Sequence, residues 1–508
     1  MDSTTWGIFA IIVAYLVMMV VVGIYFMKKN NSMGDYYLGG RKLGPIVTAM
    51  SAEASDMSSW LLMGLPGVAY LTGVADAAWT AIGLAIGTYF NWLIVAKRLR
   101  RYTVVAGNSI TLPEFFSKRY HDEKKILSAI AAIFIVIFFV PYTASGFAAC
   151  GKLFSTLFHV PYFYAMVISA VVIVAYTAMG GFSAASTTDL IQSIVMTIAL
   201  VCVVLFGVST AGGINVVLSQ AGELPGYLSL TSIYNDGAAA EYGPIKIIST
   251  LAWGLGYFGM PHILLRFMAI GDENKIKLSR RIATIWVVIS MGVAIFIGII
   301  GYSLSKGGMI QTLAGSDSEK LIITIGTLMS KSGVLGILIA GLIMSGILAC
   351  TMSTADSQLL AASSSISENL FKDVFHLNVS GKASLLVARL TVLVISVLGV
   401  IMAVDPNSSV FNIVSFAWAG FGAVFGPVVL LALFWKRSNR YGAMVGMLSG
   451  GVMIFVWKYL VRPMGGAWDI YELLPAFLVA IVLNVIVSLA TPAPEKEIME
   501  EFEKVARG

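Results

Sequence analysis

Apolar stretches long enough to cross a membrane recur along the whole chain, and short polar segments separate them. A bilayer core about 30 Å thick requires about 20 apolar residues per helix, so the pattern predicts an all-α integral membrane protein with about thirteen transmembrane helices. The predicted spans are residues 6–27, 43–72, 76–96, 126–157, 161–179, 187–212, 245–270, 282–304, 333–366, 383–404, 409–435, 441–461 and 470–491. Because no polar block is large enough to fold separately, residues 1–508 are predicted to form a single membrane domain.

The composition is typical of a chain embedded in a membrane. Hydrophobic residues make up 58% of the sequence and charged residues 12%, whereas soluble domains carry roughly 25% charged residues. The net charge of +6 does not indicate nucleic-acid binding, because the Lys and Arg residues fall in short clusters between the spans. Cys150, Cys202 and Cys350 lie far apart in apolar spans and lack the spacing of metal sites or disulfide frameworks.

The basic clusters also predict how the chain is oriented in the membrane. With thirteen spans, all of the clusters fall on one side, whereas the loops 213–243 and 405–408 are nearly free of Lys and Arg. Cytoplasmic loops are the ones enriched in Lys and Arg, so the N-terminus is predicted outside and the C-terminus inside, with residues 492–508 as a short charged cytoplasmic tail. The clusters comprise residues 28–29 with 41–42, 97–101, 118–125, 275–281 and 436–440.

Two predicted spans contain segments that disfavour continuous helix. The segment "SAEASDMSSW" (residues 51–60) places two carboxylates and four serines inside the second span, and "WGLGYFGMPH" (residues 253–262) places three glycines and a proline inside the seventh. Non-helical backbone at membrane depth persists only where protein or a water-filled cavity surrounds it, although Gly and Pro in membrane helices also serve packing alone. Two broken spans separated by five are typical of inverted-repeat transporters, whose freed helix ends bind substrate and coupling ion near the bilayer midplane.

A third polar segment, "ACTMSTADSQLLAASSS" (residues 349–365), lies in the ninth span. Ser353 and Thr354 are adjacent, and Ser357 follows one helical turn later on the face of Ser353. Sodium is a hard cation that prefers oxygen ligands, so these hydroxyls suit a sodium site. Ser and Thr side chains in membrane helices also bond back to their own helix, which is the alternative role.

Two carboxylates accompany these hydroxyls in apolar surroundings. Asp356 belongs to the same segment, and Asp189 lies near the start of the sixth span. An ionisable side chain at membrane depth is costly unless it is paired or solvated. The pair therefore predicts a site for a cation or a proton, with a helix cap exposed to the cytoplasm as the alternative role of Asp189.

The motifs "SAEASDMSSWLLMGLPG", "WGLGYFGMPHILLRFMA", "MSTADSQLL" and "FAWAGFGAVFGPVVL" resemble those of the sodium/solute symporter family, and within it the sodium/proline branch. The resemblance covers nearly all of the chain. It implies a LeuT-type fold, in which residues 43–212 and 245–435 form two inverted five-helix repeats and residues 6–27 and 441–491 are peripheral. It also implies a carrier of the inner (plasma) membrane that couples the import of L-proline to the sodium gradient by alternating access.

The resemblance further implies roles for individual residues. The implied sodium ligands are the main-chain carbonyls of Ala54, Met57 and Cys350 and the hydroxyls of Ser353 and Thr354, with Asp56 resembling the acidic residue that sodium coupling requires. The implied proline contacts are Ser58, Trp60, Tyr142, Trp253, Tyr257 and Pro261. Some relatives hold a second cation, and the corresponding residues here are Asp189, Asp356 and Ser357.

Three positions depart from the pattern expected of the branch. Cys350 replaces an alanine, but only its main-chain carbonyl is needed. Glu53 and Ser59 replace glycines. A carboxylate one residue before the carbonyl of Ala54 either tunes the affinity for the ion or points toward water.

Other classes of function remain as alternatives. An enzyme would require a convergent set of catalytic groups, but His262 is the only histidine predicted near the core. A sensor would ordinarily carry a larger cytoplasmic module, and the aromatic side chains suit a bound solute better than the throughput of a channel. Within transport, the alternative is a sodium symporter for another small solute such as pantothenate or a different amino acid. The expected partners are L-proline, sodium and the bilayer, with no other cofactor and no obligate protein partner.

Overall fold

The computed structural model describes residues 2–27, 33–374 and 381–507, so Lys28, Lys29 and His376 lie outside the described residues. Helices dominate because apolar segments in lipid must satisfy their backbone hydrogen bonds internally. The helices of the first half are α1 (Ser3–Met27), α2 (Met33–Leu38), α3 (Pro45–Ser59), α4 (Leu65–Thr72), α5 (Val74–Phe90), α6 (Ala96–Val105), α7 (Leu112–Arg119), α8 (Ile126–Phe158), α9 (Tyr162–Thr210) and α10 (Ile214–Gly222). A 3₁₀ turn (Gly39–Arg41) and two π-helical turns (Trp60–Gly64 and Asn91–Val95) lie between them.

The second half begins with a hairpin and is otherwise helical. The strands are β1 (Ser232–Asn235) and β2 (Ala238–Glu241), and the helices are α11 (Pro244–Leu251), α12 (Pro261–Ala269), α13 (Ile276–Lys306), α14 (Leu321–Met329), α15 (Gly333–Ser364), α16 (Gly381–Met402), α17 (Val410–Phe434), α18 (Arg440–Val456), α19 (Leu473–Ala490) and α20 (Lys496–Arg507). The 3₁₀ segments are Ala252–Gly259, Glu273–Lys275, Gly315–Lys320, Arg462–Met464 and Gly466–Trp468, and the π-helical segments are Ser365–Val374 and Trp457–Val461.

Each of the thirteen predicted spans lies on helix, but their lengths differ. Nine helices in the described ranges are long and apolar enough to cross a membrane, and the bent pair Pro244–Gly259 with Pro261–Ala269 makes ten. The apolar helices Tyr162–Ala175 and Leu386–Met402 are shorter. The predicted span 43–72 divides into α3, a π-helical turn and α4. The prediction of a multi-span helical membrane protein is confirmed.

Both predicted helix breaks are present. In α3 the backbone leaves the helical region at Ser58, with φ 48° and ψ −172°. In the seventh span a 3₁₀ segment ends at Gly259, Met260 is extended, and α12 starts at Pro261 after a bend of 47°. A further break lies at Gly181 inside α9, with φ 66°, so the fifth and sixth predicted spans meet there.

The glycines of the second break permit close packing of backbone against backbone. A Cβ atom at Gly254 would lie 2.2 Å from the carbonyl oxygen of Gly83 in α5. A Cβ atom at Gly259 would lie 2.2 Å from the carbonyl oxygen of Phe421 in α17. Larger residues would therefore push the broken span away from both neighbours.

Several segments outside the predicted spans carry structure that the apolar pattern did not predict, including the short helices α2, α7, α10 and α14. Between α10 and α11, β1 pairs antiparallel with β2 in the register Ser232↔Glu241. Asp236 and Gly237 form its turn with φ values of 46° and 88°, as expected for an Asp-Gly hairpin turn. The charged tail beyond α19 forms the helix α20, and Ile498, Phe502 and Val505 are buried on one face of it.

Candidate functional site

The break in α3 creates the centre of the site. Ser58 is one of seven non-glycine residues in the described ranges with positive φ, a conformation that costs energy and persists only when the surroundings hold it. The main-chain N–H of Trp60 bonds to the carbonyls of Met57 and Ser58 and lies 3.1 Å from the Ser58 hydroxyl. The helix therefore ends at the carbonyls of residues 56–58 and resumes at Trp60.

Main-chain and hydroxyl oxygens converge beside this break. The Ser353 hydroxyl of α15 lies 2.8 Å from the carbonyl oxygen of Ala54 and 3.1 Å from that of Cys350. A hydroxyl has one proton, so it can satisfy only one of these carbonyls at a time. The adjacent Thr354 hydroxyl is buried and has no hydrogen-bond partner among the residues that the structure describes. A surplus of buried oxygen lone pairs is what a hard cation requires.

Asp56 connects the two broken spans. Its carboxylate Oδ2 accepts a 2.5 Å hydrogen bond from the Tyr257 hydroxyl in the second break. Its main-chain carbonyl accepts a 3.0 Å hydrogen bond from the Tyr142 hydroxyl in α8. Asp56 is buried, so a buried acidic group joins three spans at the level of the break.

Aromatic rings pack against one another beside this break. The rings of Trp60, Trp253 and Phe411 lie 5.5 to 5.8 Å from one another. The Tyr471 ring lies 5.2 Å from Trp253, and the Trp418 indole N–H donates a 2.8 Å hydrogen bond to the Trp253 carbonyl. These contacts form an apolar wall next to a polar helix end.

The structure brings together most of the residues named for substrate binding, and it adds others. Ser58, Trp60, Tyr142, Trp253 and Tyr257 lie around the two breaks, and Pro261 is buried at the first turn of α12. Sequence reasoning did not name Phe411, Trp418 and Tyr471. Trp418 belongs to the motif "FAWAGFG", but aromatic residues in apolar spans give no further signal of their contacts.

An ion pair fixes the end of α17 that carries Phe411. Glu319 accepts hydrogen bonds from the main-chain N–H groups of Val410 (3.1 Å) and Phe411 (3.0 Å), and so caps this helix. Lys152 of α8 donates to the same carboxylate at 2.6 Å and to the Ser408 carbonyl at 2.8 Å. The side chains of Lys152 and Glu319 are only 1% and 4% exposed, so they form a buried pair.

A second buried charge cluster joins α12 to α3, α9 and α15. Arg266 of α12 donates to the carboxylate of Asp189 at 3.2 Å, to the Ser51 hydroxyl at 3.0 Å and to the Ser357 hydroxyl at 2.5 Å. Ser357 in turn lies 3.1 Å from a carboxylate oxygen of Asp356. Sequence reasoning did not name Arg266, because it follows an apolar run near the end of its span.

The structure excludes two of the alternative roles. Asp189 is fully buried inside α9 and bonded to Ser51 at 2.6 Å, so it is not a cap exposed to the cytoplasm. Glu53 is buried and accepts a 3.0 Å hydrogen bond from the Trp92 indole, so it does not point toward water. One Glu53 oxygen and one oxygen of each of Asp189 and Asp356 have no hydrogen-bond partner among the described residues.

Solved structures share the fold of this chain. The chain resembles a Na⁺-coupled sialic acid symporter in its substrate-bound outward-open state, with a TM-score of 0.78, 17% identity and coverage of 96% of this chain and 99% of that chain. It resembles MhsT in complex with L-phenylalanine with a TM-score of 0.56, 12% identity and coverage of 88% and 99%. These likenesses confirm the predicted LeuT-type fold.

Comparisons of the sequence identify the family. The chain is 42% identical over 498 residues to the sodium/proline symporter of Haemophilus influenzae, covering 97% of this chain and 96% of that protein. It is 40% identical over 487 residues to the high-affinity proline transporter PutP of Bacillus subtilis, covering 95% and 98%. It is also 40% identical over 483 residues to the osmoregulated proline transporter OpuE of Bacillus subtilis, covering 95% and 94%. Because the model of the sodium:solute symporter family also matches residues 36–450, the chain belongs to that family.

Proposed function

We propose that this chain is a sodium-coupled symporter that imports L-proline by alternating access. The observation that carries the proposal is the convergence of Ser353 with the carbonyls of Ala54 and Cys350 beside an aromatic wall on the same broken helix. The names of the relatives supply the solute, since those at about 40% identity are proline transporters. No covalent chemistry is needed for this function.

Sodium would bind at the oxygens between the first broken span and α15. The proposed ligands are the carbonyls of Ala54, Met57 and Cys350 and the hydroxyls of Ser353 and Thr354. Asp56 would support the site by adding negative charge nearby and by holding Tyr257. Such a cation would replace weak or unsatisfied contacts with ion–dipole contacts, and so would hold α3 against α15.

Proline would bind between the two breaks. Its pyrrolidine ring suits the apolar faces of Trp60 and Trp253, which lie 5.7 Å apart between ring centroids. Its carboxylate would be favoured at the N-terminal end of the helix that resumes after Ser58, where the backbone dipole is positive. Tyr142, Tyr257 and Pro261 would complete the pocket around the amino group and ring.

Coupling follows from the shared helix. Sodium and proline would both bind at the break in α3, so each would tighten the binding of the other by the same factor. A membrane potential of about 100 mV contributes about 2.3 kcal/mol per sodium ion moved inward. That energy would drive the accumulation of a neutral amino acid.

The proposed arrangement in the membrane completes this account. Residues 43–212 and 245–435 would form the two inverted repeats, and residues 6–27 and 441–491 would be peripheral. Because the basic clusters mark the cytoplasmic side, the N-terminus would be outside the plasma membrane and residues 492–508 inside.

Asp189, Asp356 and Ser357 remain a candidate second site for a cation or a proton. The Arg266 guanidinium already places a positive charge against Asp189 and Ser357, so we expect a single sodium to be coupled to transport. Reversal potentials in proteoliposomes measure the ratio of charge to proline. A ratio of one that is independent of pH and unchanged in Asp189→Asn would exclude the second site, whereas a ratio of two or a pH-dependent ratio would support it.

The proposed function is tested by uptake of radiolabelled solutes into proteoliposomes. Proline should accumulate with an inward sodium gradient and should not accumulate when choline replaces sodium. The comparison panel contains pantothenate, alanine, glutamate and sialic acid at equal concentrations. Sodium-driven accumulation of another member of the panel, with proline excluded, would assign the chain to a different solute.

A further inference from the structure

An apolar cavity of about 320 Å³ opens on the outer surface of the helix bundle, away from the two breaks. Residues of α1, α8, α9 and α15 line it, together with Val160 between α8 and α9. Close contacts between α1 and α15 lie beside it, where a Cβ atom at Gly7 would be 2.6 Å from Ile337 and one at Gly341 would be 2.6 Å from Ile11. The cavity is thus enclosed by helices of the core and by the first helix.

The rim of the cavity continues into the surface that faces lipid. Phe9 and Val13 of α1 are 37% and 39% exposed, and Ile168 of α9 is 63% exposed. These side chains belong to apolar helices of a multi-span membrane protein, so their exposed surface lies against hydrocarbon. The mouth of the cavity therefore opens to the bilayer rather than to water.

The chemistry of the lining excludes water as the occupant. Almost all lining groups are aliphatic or aromatic, and the Ser169 hydroxyl among them already donates a 2.7 Å hydrogen bond to the Ala165 carbonyl. A water molecule in a cavity needs two to four polar partners, so apolar cavities stay dry and bind apolar molecules instead. An empty cavity of this size would forfeit the dispersion contacts of its lining. The hydrocarbon chains of the bilayer are the apolar material available at its mouth.

The inner end of the cavity reaches the back of the helix that carries Ser353. Leu348 and Met352 line the cavity and are 3% and 1% exposed. At about 100° per residue, Leu348 and Met352 share one face of α15, and Cys350 with Ser353 lie on roughly the opposite face. A hydrocarbon chain bound in the cavity would contact the face of α15 that is opposite Cys350 and Ser353.

We propose that one acyl chain of a bilayer phospholipid binds in this cavity and packs against Leu348 and Met352. The volume of about 320 Å³ lies within the range of small-molecule sites, about 300 to 1,000 Å³. The bound acyl chain would fill the space between α1, α8, α9 and α15 and so stabilise the position of α15. This proposal depends on the cavity alone and is independent of the identity of the transported solute.

The test uses a photoreactive lipid and the full protein in proteoliposomes. Phosphatidylethanolamine that carries a diazirine near the end of one acyl chain is included in the bilayer, and labelled residues are mapped by mass spectrometry after illumination. We expect labelling of Leu348 or Met352, which general contact with lipid would not reach because both are buried. Labelling confined to exposed residues that do not line the cavity, such as Tyr164 and Val171, would overturn the proposal.

A variant that fills the cavity with a larger side chain, compared with a matched control, tests the proposal further. Ser169→Phe places a ring in the cavity, and Val171→Phe adds the same ring two residues away on a surface that is 63% exposed and does not line the cavity. Labelling of Leu348 and Met352 should fall at least fivefold in Ser169→Phe and persist in Val171→Phe. Unchanged labelling in a folded Ser169→Phe protein would contradict the site. If Ser169→Phe does not fold, the labelling pattern of the unaltered protein still decides.

Discussion

The Ser353 hydroxyl lies 2.8 Å from the carbonyl oxygen of Ala54, although 299 residues separate the two in sequence. This contact joins α15 to the first broken span at the level where that span stops being helical. Ala54 lies one turn before Ser58, so its carbonyl is close to the C-terminal end of the first half-helix. A cation at this place would lock two spans that alternating access must move apart.

The first prediction concerns the hydroxyl itself. Ser353→Ala removes one proposed sodium ligand, so the sodium concentration for half-maximal proline uptake should rise about tenfold, equivalent to about 1.4 kcal/mol. The control is Ser345→Ala in the same helix, whose hydroxyl bonds only to its own helix at Gly341. Uptake measured across a sodium titration distinguishes the two. Equal sodium dependence in Ser353→Ala, Thr354→Ala and the unaltered protein would remove the assignment.

The second prediction concerns the aromatic wall. Trp253→Ala removes a ring that contacts Trp60, Phe411 and Tyr471, so proline affinity should fall at least tenfold, about 1.4 kcal/mol, while sodium binding alone stays detectable. Trp253→Phe should recover part of the loss because it restores an aromatic face. Trp468→Ala, at a ring that is 50% exposed, serves as the control. Loss of proline and sodium binding together in the purified, folded protein would point to structural damage instead.

The third prediction concerns Arg266 and Asp189, both of which are buried. Removing one member of a buried pair leaves the other charge uncompensated and typically costs about 3–5 kcal/mol. Arg266→Gln should therefore lower the thermal unfolding temperature in detergent strongly. The double variant Arg266→Gln with Asp189→Asn should recover much of that loss. A double variant as unstable as Arg266→Gln would show that the guanidinium acts mainly through Ser51 and Ser357.

The fourth prediction concerns Lys152 and Glu319 at the start of α17. Lys152→Met leaves the Glu319 carboxylate buried without its cation, which should cost about 3–5 kcal/mol of stability. Lys152→Met with Glu319→Gln should be less destabilised than Lys152→Met alone, since the buried charge is removed and the amide oxygen can still accept from one of the two N–H groups of α17 that Glu319 caps. Lys246→Met is the control, because its ion pair with Asp469 is 48% and 39% exposed and such pairs contribute about 0–1 kcal/mol. Similar unfolding temperatures for Lys152→Met and Lys246→Met would contradict this account.

The sequence predicted the breaks because their residues conflict with helix inside an otherwise apolar span. Ser58 lies within the predicted segment 51–60, and Met260 within 253–262, and both have the non-helical backbone that was expected. The residues nearest each break were predicted from these same two segments. Their roles as ligands of sodium and proline stay predictions, since they were inferred from resemblance and await measurement.

The partners that come from distant helices could not be predicted in the same way. The neighbouring sequence does not reveal the roles of Arg266, Glu319 and Phe411. A charged or aromatic residue near the end of a span can face lipid headgroups or a buried partner, and the sequence pattern is the same in both cases. Their burial depends on how α8, α9, α12 and α17 pack together. Only the three-dimensional arrangement pairs Arg266 with Asp189 and Glu319 with Lys152.

The hairpin and α20 were missed for a different reason. Long apolar stretches reveal membrane spans, whereas β1 and β2 are four residues each and α20 is charged on most of its surface. Local cues were present in the Asp-Gly turn at residues 236–237 and in the apolar spacing of Ile498, Phe502 and Val505. Phe502 packs beneath the guanidinium groups of Arg98 and Arg119, so the tail contacts α6 and α7.

Reciprocal binding measurements test the central claim, that sodium and proline share the break in α3. The dissociation constant of proline is measured with and without saturating sodium, and that of sodium with and without saturating proline, in the purified protein with choline as the replacement ion. We expect sodium to tighten proline binding at least about tenfold and proline to tighten sodium binding by the same factor, because linkage requires equal factors. In Ser353→Ala both factors should shrink together. Sodium and proline that bind independently in the folded protein would contradict the account.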